Sequence, residues 1–123
     1  MNKTSLQRGL LALCLPSALI LGGCATQKNL YNWGSYQPQV YAYLKSDSTS
    51  PQAQLNELEK GLQLASSKGE KVPPGYHAHM GLLYLNTGSP DKAVAAWDRE
   101  KSLFPESTKY INFLMSNMKK NGG

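Results

Sequence analysis

The sequence predicts an all-α fold, a short array of about five helices behind an apolar N-terminal leader. Beyond residue 36, apolar residues recur three and four positions apart, which is the period of an amphipathic helix. Serine–proline pairs and glycines stand between these stretches, at places where helices begin and end. No stretch alternates apolar and polar residues as a half-buried strand would.

The first 23 residues have the zones of an export signal. Lys3 and Arg8 give a positive start, and a mostly apolar run follows from Gly9 to Leu21. That run is shorter than the roughly 18 apolar residues required to span a bilayer as a helix. It ends in two glycines, which suit a cleavage site, so residues 1–23 are left out of the fold prediction.

The run Leu21-Gly22-Gly23-Cys24 resembles the lipobox of bacterial lipoproteins, in which a leucine and two small residues precede a cysteine. The resemblance implies that the Cys24 thiol receives a diacylglyceryl group and that a peptidase then cuts between Gly23 and Cys24. Two or more acyl chains give stable anchoring, so the protein would stay on a membrane. Ala25 stands where an aspartate favours retention in the inner membrane, so the position resembles that of lipoproteins exported to the outer membrane. We expect the domain to face the periplasm.

Charge and cysteine content limit the function classes. Lys3 and Arg8 supply two of the +5 formal net charge, so the mature chain is too weakly basic to indicate nucleic-acid binding. Cys14 leaves with the leader and Cys24 carries lipid, so we expect no disulfide in the mature domain. Its fold should then depend on packing alone.

Two helices are predicted in the first half of the mature chain. Residues 24–36 are predicted as the lipidated N-terminus and a tether, and the first helix begins near Gln37. The second begins at Ser50 or Pro51, since serine caps a helix well and proline is tolerated at the first helical position. Glycines and prolines end it within residues 66–75. Its apolar positions are Leu55, Leu58, Leu62 and Ala65.

Three more helices complete the predicted domain. The third should run from about Gly75 to Thr87, with Gly88 as the left-handed residue after its end. Apolar residues on two sides of it predict a helix packed between two neighbours. The fourth begins at Pro90 and ends before Pro105, and the fifth follows a Ser107 cap. The apolar stripe of the fifth is Ile111, Leu114, Met115 and Met118.

The span Pro74–Ser107 resembles one tetratricopeptide repeat, a helical hairpin of about 34 residues. The matching positions are Met80, Gly81, Tyr84, Gly88, Ala93, Trp97 and Pro105. Gly81 and Ala93 lack bulk, so the two helices can approach closely while Trp97 fills the space beside them. Glu100 stands where a small residue is usual, which should loosen packing against a following repeat.

The same resemblance implies a partner-binding groove on the first helix of the repeat. Its positions, carried over residue by residue, are Gly75, Ala78, Leu82, Leu85 and Asn86. Leu82 and Leu85 would be exposed apolar anchors for an extended or helical peptide. The alternative is that the aromatic N-terminal segment, which runs from Gln27 to Tyr43, covers them. The first two helices would form an earlier, degenerate unit of the 37–123 domain, and the helix at 107–119 would cap it.

Four strings extend the resemblance over nearly all of the mature chain. They are Trp33-Gly34-Ser35-Tyr36, Val72-Pro73-Pro74-Gly75, Ala78-His79-Met80-Gly81 and the run from Glu100 to Ser107. Together they resemble an uncharacterised family of small proteobacterial lipoproteins. Its members are typically encoded beside a lipoprotein similar to the curli secretion channel, which implies an assembly of several lipoproteins at the outer membrane.

The remaining polar residues do not predict catalysis or metal binding. His77 and His79 point about 200° apart on a helix, so they cannot share a metal ion. Two acidic pairs have the same spacing and are predicted to lie on solvated helix faces. These pairs are Glu57 with Glu59, and Asp98 with Glu100. We therefore expect no enzyme, no metal, no small-molecule substrate and no cofactor other than covalent lipid on Cys24.

The main hypothesis from the sequence is a non-enzymatic interaction module, anchored in the outer membrane within an envelope or secretion-linked complex. Its expected partners are the membrane and other envelope lipoproteins, including a protein similar to the curli secretion channel. The competing hypothesis is a periplasmic regulator that contacts the peptidoglycan synthesis machinery or the cell wall.

Overall fold

The computed structural model describes residues 29–46 and 48–121, so the predicted leader and Cys24 lie outside the described residues. Within those two ranges the chain forms five α-helices and no β-strand, which confirms the all-α prediction. The helices are α1 Tyr36–Leu44, α2 Pro51–Ser67, α3 Tyr76–Asn86, α4 Pro90–Leu103 and α5 Thr108–Asn121, with a short 3-10 turn Pro105–Ser107 before α5.

Local sequence signals place most of the helix ends. The Ser50 side chain accepts a 3.2 Å hydrogen bond from the Ala53 N–H at the start of α2, as expected of an N-cap. After α3, Gly88 takes a φ of +75°, and its N–H donates to the Leu85 carbonyl. The Ser107 hydroxyl was expected to cap α5, but it donates backward to the Phe104 carbonyl at 2.7 Å.

Helix α3 is the central element, with most of its residues buried. One side faces α1 and α2, where Tyr76, Met80 and Leu83 pack against Leu55 and Leu58. The other side faces α4 and α5, where Ala78 packs with three buried residues. These are Ala93, Trp97 and Ile111. The two-sided apolar pattern of this helix therefore did predict its position between two neighbours.

The contact between α3 and α4 is built around one glycine. Gly81 is buried, and a Cβ added to it would clash with the indole ring of Trp97. Trp97 itself is 0% exposed, and its Nε1–H donates to the Ala78 carbonyl at 3.0 Å. The small residue at 81 is therefore what allows the largest side chain of α4 to pack closely against α3.

The described part of the predicted tether lies along α2 and the loop that follows it. The Asn32 backbone N–H donates to the Lys71 carbonyl at 2.7 Å, and its side-chain amide donates to Glu70 at 2.6 Å. The Ser35 hydroxyl donates to the Glu57 carbonyl at 3.1 Å. These bonds hold residues 32–35 against the helical domain. None of the helices in the described ranges has the length and apolar content to cross a membrane.

Candidate functional site

An apolar groove lies where α3, the start of α4 and the second half of α5 meet. Its volume is about 420 Å³, and it is open to solvent along its length. The residues that line it are Leu82, Leu85, Pro90, Trp97, Leu114, Asn117, Met118 and Asn121. We call this set the C-terminal groove.

Helical spacing accounts for the side chains that form the groove. Leu82 and Leu85 are three residues apart on α3, and Leu114 and Met118 are four apart on α5, so each pair forms one stripe. All four are partly exposed while they pack against the buried Trp97 cluster. The groove is therefore a hydrophobic core that remains open on one side, where α5 does not close over α3.

The residues predicted for partner binding divide into two groups. Leu82 and Leu85 do line the C-terminal groove, and Asn86 is exposed beyond them without lining it. Ala78 is only 5% exposed and Gly75 lies at the N-terminus of α3, so neither offers groove surface. The predicted set thus mixes groove residues with core residues of the same helix.

The structure also corrects the alternative in which the aromatic N-terminal segment covers Leu82 and Leu85. Tyr36 stacks on Tyr76 with ring centroids 5.4 Å apart, and Tyr43 meets the edge of His79 at 5.1 Å. These contacts lie on the face of α3 that looks towards α2. The groove lies on the other face, and helix α5 flanks it instead.

Glu100 was predicted to lie on a solvated face, and this prediction is wrong. Its side chain is 1% exposed and reaches the N-terminus of α3. Its carboxylate accepts hydrogen bonds from the backbone N–H groups of Gly75 at 2.6 Å, His77 at 3.1 Å and Ala78 at 3.3 Å. A carboxylate favours this place because the free N–H groups and the helix dipole are positive there.

The expectation that Glu100 loosens packing is therefore replaced by a structural role. The residue links α4 to the start of α3, where Gly75 has no side chain to serve as a cap. One feature of the sequence did indicate a special role for Glu100, since an acid stands where the repeat pattern has a small residue. Spacing along α4 alone could not identify the N–H groups that it meets.

The other acidic pair divides between surface and half-buried positions. Glu57 forms an exposed ion pair with Lys60 at 2.8 Å. Glu59 accepts a 2.7 Å hydrogen bond from the Tyr84 hydroxyl. Burial, and then the hydrogen bond to the Glu59 carboxylate, raise the pKa of Tyr84 to about 12. The phenol therefore keeps its proton and acts as a structural donor between α2 and α3.

Both histidines are buried on α3 and face different surroundings. Burial, with a smaller effect of the Arg99 guanidinium, lowers the pKa of His77 below its ordinary value. Burial also lowers the pKa of His79, although a hydrogen bond to the Gln39 backbone opposes this. Residues 29–46 and 48–121 contain no cluster of three metal-ligating side chains. The arrangement of these histidines is that of neutral core residues.

A larger cavity of about 660 Å³ opens between the C-terminal ends of α2 and α4. Tyr31 and Phe104 meet edge to face across it, with ring centroids 6.1 Å apart. Its wall carries Arg99 and Lys71 together with Glu70 and Glu106. Because both charge signs occur on this wall, its electrostatics favour neither an anionic nor a cationic ligand.

The described residues define a small all-α domain with one open apolar groove and a buried carboxylate that joins two helices. Residues 30–114 match a family described as a domain of unknown function, DUF4810, and the chain belongs to that family. The match starts at the segment that packs along α2 and ends within α5. No curated protein and no solved structure matched the chain.

Proposed function

We propose that this protein is a lipid-anchored lipoprotein of the outer membrane that acts as a non-enzymatic interaction module in an envelope or secretion-linked complex. The C-terminal groove is the observation that carries the interaction role. Its apolar walls are three leucines, Pro90, Trp97 and Met118, and methionine adapts its shape to different apolar partners. The run Leu21-Gly22-Gly23-Cys24 supports the anchor.

The α3–α4 hairpin is, in this proposal, a tetratricopeptide-like unit. The clash of any Cβ at Gly81 with Trp97 and the positive φ of Gly88 are the packing and turn that such a unit requires. Pro105 stands two residues after the end of α4, as the closing proline of a repeat does. Helix α5 then acts as a partial cap, and the exposed apolar strip beside it is the binding surface.

The proposed ligand is a peptide segment, helical or extended, that inserts two or three apolar side chains between α3 and α5. A volume of about 420 Å³ suits a few side chains better than a folded domain. We propose that the segment belongs to another envelope lipoprotein, including one similar to the curli secretion channel.

In-cell photocrosslinking tests this proposal. A photoreactive amino acid at Asn117, which lines the groove, should crosslink to an envelope lipoprotein. The same amino acid at Asn112, which is exposed on α5 and does not line the groove, is the matched control. Leu82→Glu and Leu85→Glu should each abolish the Asn117 crosslink, because a carboxylate in an apolar groove would lose its hydration when a peptide binds.

Since Leu82 and Leu85 are partly buried, circular dichroism must show that each variant stays folded. Met118→Ala provides a second variant, which widens the groove without adding charge and should weaken the crosslink. Equal crosslinking at Asn117 and Asn112, or an unchanged Asn117 crosslink in folded Leu82→Glu, would contradict the groove. Capture of peptidoglycan synthases or wall fragments would favour the competing role as a cell-wall regulator.

A further inference from the structure

A second exposed surface lies at the start of the described chain. Leu30 is 75% exposed, Trp33 is 44% exposed, and Leu64 on α2 is 52% exposed. Lys68 and Lys71 are exposed beside them. We call these five residues the anchor-side surface, and we propose that it rests on the phospholipid headgroup layer of the membrane that holds the lipid anchor.

Contacts between the chain segments bring these residues together. Trp33 and Lys68 line the same shallow cavity, with Asn29 and Glu70 also on its wall. The hydrogen bonds from Asn32 to Lys71 and Glu70 fix the segment that carries Leu30 and Trp33. Leu64 lies one turn before Lys68 on α2, so it presents its side chain to the same side.

The length of the tether argues for the membrane as the occupant. This step rests on the proposed lipidation of Cys24. Only five residues, 25–29, separate Cys24 from Leu30 on the anchor-side surface. Five extended residues reach at most about 18 Å. A small folded domain is about 30 Å across, so it would not fit between the anchor-side surface and the bilayer.

The chemistry of the surface suits the headgroup layer. Tryptophan is enriched at membrane interfaces because its ring is largely apolar while its N–H can form hydrogen bonds. Leucine side chains gain by leaving water, and lysine ammonium groups are attracted to anionic headgroups. Of the nearby acids, Glu57 pairs with Lys60, while Glu70 accepts from the neutral Asn32 amide and keeps its charge. The two lysines of the surface still exceed this one carboxylate, so the charge that faces the headgroups is positive.

The chain offers a direct test because it contains two tryptophans, one on this surface and one in the core. The lipidated mature protein is reconstituted into vesicles of phosphatidylethanolamine and phosphatidylglycerol, with or without bromine on the acyl chains near the headgroups. Bromine quenches tryptophan only at short range. We expect a loss of emission from Trp33, and Trp33→Phe should remove that loss because Trp97 is 0% exposed.

A matched pair of leucines distinguishes contact of the anchor-side surface with the headgroups from mere nearness of Trp33 to the bilayer. Leu30 and Leu44 are both 75% exposed, but Leu44 lies at the far end of α1. Leu30→Glu should reduce the quenching of Trp33, and Leu44→Glu should leave it unchanged. Equal quenching in these two variants would mean that the tether alone brings Trp33 near the bilayer, and would overturn the proposal.

Mass spectrometry of the same sample distinguishes failure of the proposed lipid anchor from failure of the anchor-side surface. Lipid on Cys24 without quenching of Trp33 would overturn the anchor-side surface and leave the anchor standing. Absence of lipid from Cys24 would overturn the anchor, and the proposed surface with it. Lipid on Cys24 with quenching that depends on Trp33 and Leu30 would support both.

Discussion

Among single residues, Glu100 shows the largest difference between its role in the structure and the role that its position along the chain suggests. Its carboxylate is buried, but it meets three N–H donors at a helix N-terminus. Hydrogen bonds to a charged group are stronger than those between neutral groups, and a buried donor without a partner is costly. One side chain therefore connects the two helices of the central hairpin.

Replacing this carboxylate should destabilise the domain. Glu100→Ala should lower the free energy of unfolding by about 3 kcal/mol or more, because each buried N–H group left unpaired costs about 1–3 kcal/mol. Glu100→Gln should cost less, since its amide oxygen can still accept. Urea unfolding followed by circular dichroism measures both changes.

Asp98 on the same helix is the control for Glu100. Its side chain is 59% exposed and pairs with Lys101 at 2.9 Å. An exposed ion pair contributes about 0–1 kcal/mol, so Asp98→Ala should have little effect. Equal losses in Glu100→Ala and Asp98→Ala would mean that the buried hydrogen bonds contribute nothing particular.

At the scale of elements, α3 packs on both sides and carries both histidines into the core. His77 and His79 have folded-state pKa values lowered mainly by burial. The Nε2 atom of His79 is buried and has no hydrogen-bond partner among the described residues. A proton added to either ring would therefore place a charge where burial keeps water away.

This burial predicts that the domain loses stability in mild acid. Below the unfolded-state pKa of about 6.5, the unfolded chain binds more protons than the folded chain, so the free energy of unfolding falls as pH falls. We expect a lower urea midpoint at about pH 5.5 than at about pH 7.5. His79→Phe, which keeps an aromatic ring between Tyr36 and Tyr43, should reduce this difference.

His77→Phe is the parallel variant, and the double variant should remove most of the pH dependence in this range. Carboxylates titrate mainly below this window, so they contribute little to the comparison. Urea midpoints that do not change between the two pH values in the wild type would show that the histidines are accessible to protons in the folded state.

For the whole molecule, the proposed lipid and the proposed groove together define an orientation of the domain relative to the membrane. The anchor-side surface lies at the end of the tether and on α2. The C-terminal groove lies beside α5, on the face of α3 that is turned away from α2. An anchored domain of this kind would hold one face to the membrane while the groove remained open to the periplasm.

The anchor itself is tested at Cys24. Cys24→Ser should leave a full-length precursor without lipid, because lipid transfer requires a sulfur nucleophile and serine offers only a weakly acidic hydroxyl. Mass spectrometry of the membrane fraction compares the two chains. A lipidated Cys24→Ser chain that begins at residue 24 would contradict the anchor.

The helices and most of their ends could be predicted from the sequence alone. Ser50, Pro51 and Gly88 act within one turn of the backbone, so their effects could be read without knowing the fold. The apolar spacing on α3 also predicted that it packs on two sides. The small Gly81 and the large Trp97 predicted one close helix contact, because a match of volumes is visible in a repeat pattern.

Which of these surfaces remain open depends on how the helices pack together. Leu82 and Ala78 both follow helical spacing on α3, but α4 buries Ala78 while α5 leaves Leu82 at the edge of a groove. Likewise, the spacing of Glu100 along α4 predicts a surface acid, but the packing of α4 places its carboxylate at the N-terminus of α3. Burial and hydrogen bonding depend on residues distant in sequence, so spacing along one helix cannot determine them.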